Sequence, residues 1–218
     1  IADLHRQIVE RGISYLRTQG QATDGSYSAG AGPGVTALVT TAVLRNGYNP
    51  QDPLVQRSLN YLKGFVQKDG GIYAVGSNYR NYETSMAVMC FAEANRQQPG
   101  TYDTIIKSAD RFLKGLQHDD GEGHDRSSKF YGGAGYGKHK RPDLSNTGIM
   151  IDALVAAGAS PDDEAIRKAL IFVSRCQNLE TEHNDTKWSV KNPDGGFYYT
   201  GAAGGSSQAK WEEGKSEE

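Results

Sequence analysis

The sequence predicts an all-α fold built from repeated helical hairpins, and two observations predict it. First, four segments share one short pattern: a basic and a small residue, an aromatic–aliphatic pair, a glutamine, and a glycine–aromatic turn. They run Arg11-Gly12, Tyr15-Leu16, Gln19 and Gly25-x-Tyr27; Arg57-Ser58, Tyr61-Leu62, Gln67 and Gly71-x-Tyr73; Lys107-Ser108, Phe112-Leu113, Gln117 and a delayed glycine–tyrosine turn within 131–137; and Lys168-Ala169, Phe172-Val173, Gln177 and Gly195-Gly196-Phe197. The aromatics Tyr15, Tyr61, Phe112 and Phe172 lie 46, 51 and 60 residues apart, a period that marks stacked supersecondary units. Second, the helical stretches between these segments have a different character, so two kinds of helix alternate along the chain.

Each element follows from its local pattern. The helices that end in glutamine are amphipathic: Ile105, Ala109, Phe112 and Leu116 share one face, as do Ile166, Leu170 and Val173. Such helices keep a wet side and belong on the outside. The stretches 35–44, 84–94 and 145–157 are apolar or small nearly all round, which places them inside. Asp52-Pro53 and Ser160-Pro161 read as caps followed by proline in a first turn, and Gly47 and Gly158 as C-terminal stops. The count is seven helices, outer and inner by turns, forming a single domain over 1–200. The segment 201–218 is small, polar and charged and reads as a loop or disordered tail. It follows a fourth outer helix with no inner partner, so the expectation is a partial domain that continues beyond Glu218.

Composition excludes several functions. The net charge of -2, with Lys and Arg scattered, gives no footprint for nucleic acid. No apolar run approaches the roughly 20 residues of a membrane-spanning helix, although peripheral membrane contact stays open. Cys90 and Cys176 stand alone and read as buried thiols. Asn184-Asp185-Thr186 is a formal glycosylation sequon. The polar run 118–125, with His118, Asp119, Asp120, Glu122, His124 and Asp125, and His139 beyond it, matches no metal-ligand spacing and reads as a solvated loop. No metal or other cofactor is expected.

The repeat resembles the QW repeat of squalene–hopene cyclases and related terpene cyclases, and is similar to that of protein prenyltransferase β subunits. Tyrosine or phenylalanine stands where the family repeat has tryptophan, which marks a divergent member. The resemblance covers essentially the whole chain and implies an α–α toroid, with inner helices around a central cavity. In the cyclases an Asp-x-Asp-Asp-Thr motif at an inner-helix start supplies the acid that begins the reaction. Here that stretch is Asp143-Leu144-Ser145-Asn146-Thr147, which keeps the first Asp and the Thr but has Ser145 and Asn146 in the two central positions. The matching stretch of the second repeat is Arg80-Asn81-Tyr82-Glu83-Thr84. Glu83 and Asp143 are therefore the candidate catalytic carboxylates. A Glu in a first helical turn also serves ordinary dipole and capping chemistry.

Tyr79, Tyr82, Tyr131, Tyr136 and Asn146 are the candidate substrate-binding residues, with Tyr73 and Tyr198 in the same bordering loops. Aromatic faces there would steady carbocations, and the glycine-rich stretch 131–137 would bring Tyr131 and Tyr136 over the cavity mouth. The Asp-x-Cys pair of a prenyltransferase zinc site is absent. The resemblance implies an isoprenoid or triterpenoid ligand in an apolar cavity, with cyclisation or prenyl handling as the activity and a degenerate acid motif. Two other readings stay open: a non-catalytic toroid binding a lipid, glycan or protein, and a carbohydrate-active toroid using paired carboxylates. Gln19, Gln67, Gln117 and Gln177 are read as structural staples at the outer-helix ends.

Overall fold

A computed structural model describes residues 2–137, 141–185, 189 and 193–201. Among them are seven α-helices and no strand, only isolated bridges such as Gln117 with Ala134. The tail 202–218 and His139 lie outside the described residues. The chain divides into two compact units, Ile1–Phe112 and Leu113–Glu218.

The first unit holds α1 (Ala2–Tyr15), α2 (Pro33–Arg45), α3 (Pro53–Lys63), α4 (Arg80–Gln97) and all but the last two residues of α5 (Asp103–Lys114). Pro33 and Pro53 start α2 and α3, where a missing N–H costs nothing. Asp52 caps α3 by accepting the Leu54 N–H at 2.9 Å. The core lies between the inner helices α2 and α4 and the outer α3. Ala37, Val43, Ala87, Val88, Phe91, Leu59 and Leu62 are buried there, and each of the larger side chains contributes about 1.5–3 kcal/mol by leaving water. Cys90 lies in this core, and burial pushes its thiol up to about 12.

The second unit holds α6 (Leu144–Ala156) packed on α7 (Glu164–Cys176), with Met150, Ala153 and Leu154 buried on α6 and Ile166 and Phe172 on α7. The cap of α7 is Asp163, which accepts the Ala165 N–H at 2.9 Å. Ser160-Pro161 instead begins the preceding turn, in which Ser160 accepts the Asp163 N–H. Asn184 is fully buried, and its amide donates to the carbonyls of Ser174, Gln177 and Leu179. The sequon asparagine is thus a helix-end cap turned away from solvent.

One joint recurs through both units and explains the repeat. At Gly25, Gly70 and Gly132 the backbone takes positive φ, and each glycine lies flat against a carbonyl of the next outer helix, those of Arg57, Ser108 and Lys168. A Cβ at Gly70 would stand 2.6 Å from the Ser108 oxygen. The second glycine of the turn lies under the anchoring aromatic: a Cβ at Gly71 would meet the Phe112 ring at 2.9 Å, and one at Gly133 the Phe172 ring at 2.6 Å. The small residues Ser58, Ala109 and Ala169, one position past each contacted carbonyl, are completely buried. This places the register of the third repeat at Ser108-Ala109, one residue later than the Lys107-Ser108 pair suggests.

The glutamine staples complete the joint. Gln117 Nε2 donates to Gly132 O at 2.8 Å and, in the first turn of α7, to Ala165 O at 2.9 Å. In the first repeat the equivalent is Gln21, which donates to Leu54 O at 2.7 Å and Gly25 O at 3.3 Å. Gln19 is exposed in the π-helical turn Leu16–Gly20 that prolongs α1. Gln67 donates to Phe65 O and Tyr73 O, and Gln177 to Gly195 O at 3.2 Å.

Candidate functional site

The starts of α2, α4 and α6 share a second device. Thr36, Thr84 and Thr147 are buried, and the hydroxyl of each accepts the backbone N–H of Tyr27, Ile72 and Ala134 respectively, at 2.9–3.0 Å. The hydroxyls of Thr36 and Thr84 also lie 3.3–3.4 Å from the same residue's carbonyl oxygen, to which they donate, whereas Thr147 gives its proton to Asp143 O at 2.7 Å. The threonine therefore ties each inner helix to the glycine turn before it, and it does so in repeats with and without a neighbouring carboxylate.

Asp143 caps α6 and is buried. Its Oδ1 accepts the Asn146 N–H and its Oδ2 the Asn146 side-chain amide, both at 2.8 Å. Asn146 is itself fully buried. The segment before residue 201 closes over this start: Tyr199 O accepts the Leu144 N–H at 2.8 Å, and Thr200 Oγ1 donates to Pro142 O at 2.8 Å. Burial, a hydrogen bond with Tyr136 and the charge of Asp143 hold the Tyr199 phenol above its usual range. Asp143, Asn146, Tyr136 and Tyr199 thus form one polar cluster at the start of α6. Tyr199 was not among the sequence candidates, because only folding brings the 193–201 segment to α6; its place in the fourth glycine–aromatic turn was the available signal.

Glu83 sits in the first turn of α4 and is 5% exposed. Its Oε1 accepts the Ser77 hydroxyl and its Oε2 the Ala74 N–H, each at 2.9 Å. Gly32 leaves room for this carboxylate, since a Cβ there would come within 2.5 Å of Oε1. The carboxylate therefore shapes the loop leading into α4. Glu83→Gln is expected to change stability by less than about 1 kcal/mol, because the amide oxygen can keep the Ala74 N–H while its NH₂ donates to Ser77 Oγ. Glu83→Leu leaves the Ala74 N–H without an acceptor and is expected to cost about 1–3 kcal/mol. Chemical denaturation of the two variants checks this pair.

The remaining candidates are scattered. Tyr79, at the N-cap position of α4, is 57% exposed, and Tyr82 is half-buried one turn on. Tyr131 is buried and lines a groove of about 540 Å³ along α7 with Arg126, Arg167 and His183. In the 118–125 loop, His118, His124 and Phe130 form a cluster of rings, with His124 stacked on Phe130 at 4.9 Å. Asp119 in that loop pairs with Lys168 at 2.7 Å. No group of three or more His, Cys, Asp or Glu placed to hold a metal occurs among the described residues. None of their helices is long and apolar enough to cross a membrane.

The family model of the squalene-hopene cyclase C-terminal domain matches residues 28–201, a span that contains all three of these threonines and both candidate carboxylates. No curated protein matches the chain.

Proposed function

This chain belongs to the squalene–hopene cyclase C-terminal domain family, and from that premise we propose that it holds an isoprenoid or triterpenoid ligand without protonating it at the start of α6. As a terpenoid cyclase-like protein of α–α toroid type, it has a scaffold suited to a hydrophobic ligand. The observation that carries the second half of the reading is the state of Asp143. Both its oxygens already accept N–H bonds from Asn146. A carboxylate that holds the backbone and side chain of Asn146 in this way serves as the cap of its own helix, and a general acid must lie within reach of the atom it protonates. Ser145 and Asn146, which stand where the cyclase motif implies carboxylates, have no acidic proton to give.

The neighbouring phenols suit binding better than acid chemistry. Tyr199, raised above its usual range, stays protonated, and with Tyr136 it would offer aromatic surface and a polar handle at the rim of an apolar ligand.

Incubation of the purified chain with squalene or geranylgeraniol in detergent tests both halves. Saturable binding in a fluorescence titration, with no cyclised product by gas chromatography–mass spectrometry, is the expected result. Absence of saturable binding overturns the ligand reading, and a cyclised hydrocarbon overturns the loss of the acid step.

A further inference from the structure

The third repeat departs from the first two in one place. Gln21 and Gln67 stand four and three residues before the joint glycines Gly25 and Gly70, whereas Gly132 comes 15 residues after Gln117. The extra chain, 118–131, lies beside α7. Together with the turn at 181–184 it walls a groove of about 540 Å³ along the first two turns of that helix. At the corresponding place in the second repeat, between 66–70 and α5, the groove is smaller, about 370 Å³, and its Arg111 is turned onto the Ser108 hydroxyl at 3.1 Å.

Arg175 of α7 fixes both walls of the larger groove. Its guanidinium donates to the carbonyls of Arg126 and Ser128 on one side and of His183 on the other. Burial holds this group below the usual arginine range. The two loops are therefore tied to one residue of the helix they cover.

The charges lining the groove do not cancel. Lys168 is met twice, by Asp119 and by Glu164, each at 2.7 Å. Arg126 and Arg167 are exposed, and among the described residues no carboxylate pairs with either. Arg126 Nη2 donates to His183 Nδ1 at 3.4 Å, while Glu182 lies 3.2 Å from Nε2 of the same ring. These partners match the neutral imidazole with its proton on Nε2. Beside the arginines the groove is apolar: Leu170 is 51% exposed, next to the buried Ile171 and Tyr131.

We propose that this groove binds a phosphate monoester of an apolar alcohol, with the phosphate between Arg126 and Arg167 and the hydrocarbon on Leu170. Two guanidinium charges without a carboxylate match a group that carries about −1.5 to −2 at neutral pH. The planar donor forks of arginine suit its oxygens, and covering the exposed leucine adds the gain of removing apolar surface from water. The inference goes beyond the terpenoid reading, which concerns the start of α6 and does not involve these residues.

Calorimetric titration of the full chain with n-octyl phosphate, kept below its micelle concentration, tests the site. Inorganic phosphate and octanol are the comparison ligands, and octyl phosphate is expected to bind at least about tenfold more tightly than either. Arg126→Gln and Arg167→Gln should each weaken it by about tenfold, the loss of one charge-assisted contact. Leu170→Ser should bring the affinity for octyl phosphate down toward that of inorganic phosphate. All three side chains are exposed, so the variants should keep the melting temperature of the parent. No saturable binding of octyl phosphate overturns the proposal. So does inorganic phosphate bound as tightly as the ester, which marks an adventitious ion only, or octanol bound as tightly. Binding that survives both arginine substitutions also overturns it and puts the ligand in the cavity of the terpenoid reading instead.

Discussion

Gly132→Val is expected to unfold the second unit, at a cost above about 4 kcal/mol. Two effects act at one atom. The backbone holds φ at 81°, where a β-branched side chain is strained. The new Cβ would also lie far inside contact with the Lys168 carbonyl oxygen and 3.2 Å from the Ala169 nitrogen. Those atoms belong to the backbone of α7, so relief requires the helix to move away from the turn, drawing Phe172 off Gly133 and Ala165 off Gln117 together. Gly123→Ala separates the two effects: its φ of 78° is nearly the same, but among the described residues nothing lies within 4 Å of its Cβ. It should cost only about 1–2 kcal/mol, the price of the left-handed conformation alone. Urea unfolding followed by far-UV circular dichroism distinguishes the pair, and similar losses in both would mean that the close approach at α7 contributes nothing.

Phe172→Ala should cost about 3–5 kcal/mol, the range for emptying a fully buried phenylalanine site. The ring is completely buried and closes over Gly133, so its removal opens a void between the turn and α7. Tyr15→Ala changes the same repeat position on α1, where the ring is 57% exposed. Its effect should stay within about 0.5 kcal/mol. Thermal denaturation of both variants measures how far one repeat position can differ in energy. Equal losses would show that exposure of the ring does not set its contribution.

The alternation of outer and inner helices was legible because it rests on local periodicity, and Asp52-Pro53 because a cap and an N1 proline are adjacent in sequence. The first glutamine staple was misread for a local reason. The π-helical turn at Leu16–Gly20 adds a residue to the end of α1, so Gln19 faces solvent and Gln21 reaches α3. The signal was present, since Tyr15 to Gln21 spans six residues, as Tyr61 to Gln67 does. The α7 cap was placed at Ser160 because Pro161 follows it, yet Asp163 stands in helical register and accepts the Ala165 N–H.

The candidate site was less legible. Asp143 and Asn146 are three residues apart, so their pairing is within reach of sequence reasoning. Tyr199 meets that cluster from more than fifty residues away, and Glu83 reaches a loop whose path no helical period specifies. The threonine ties join positions 9, 12 and 13 residues apart, a spacing too irregular to suggest one shared role.

Those ties have an evolutionary consequence. Immediately before Thr36, Thr84 and Thr147 stand Val35, Glu83 and Asn146, an aliphatic, an acid and an amide. A single molecule thus carries three substitutions at one repeated place, all compatible with the same anchored helix start. Because the threonine sets the geometry, its neighbour is free to change identity without endangering the helix. Duplication of such a unit supplies spare positions on which a proton donor can arise, or from which one can be lost, while the architecture persists.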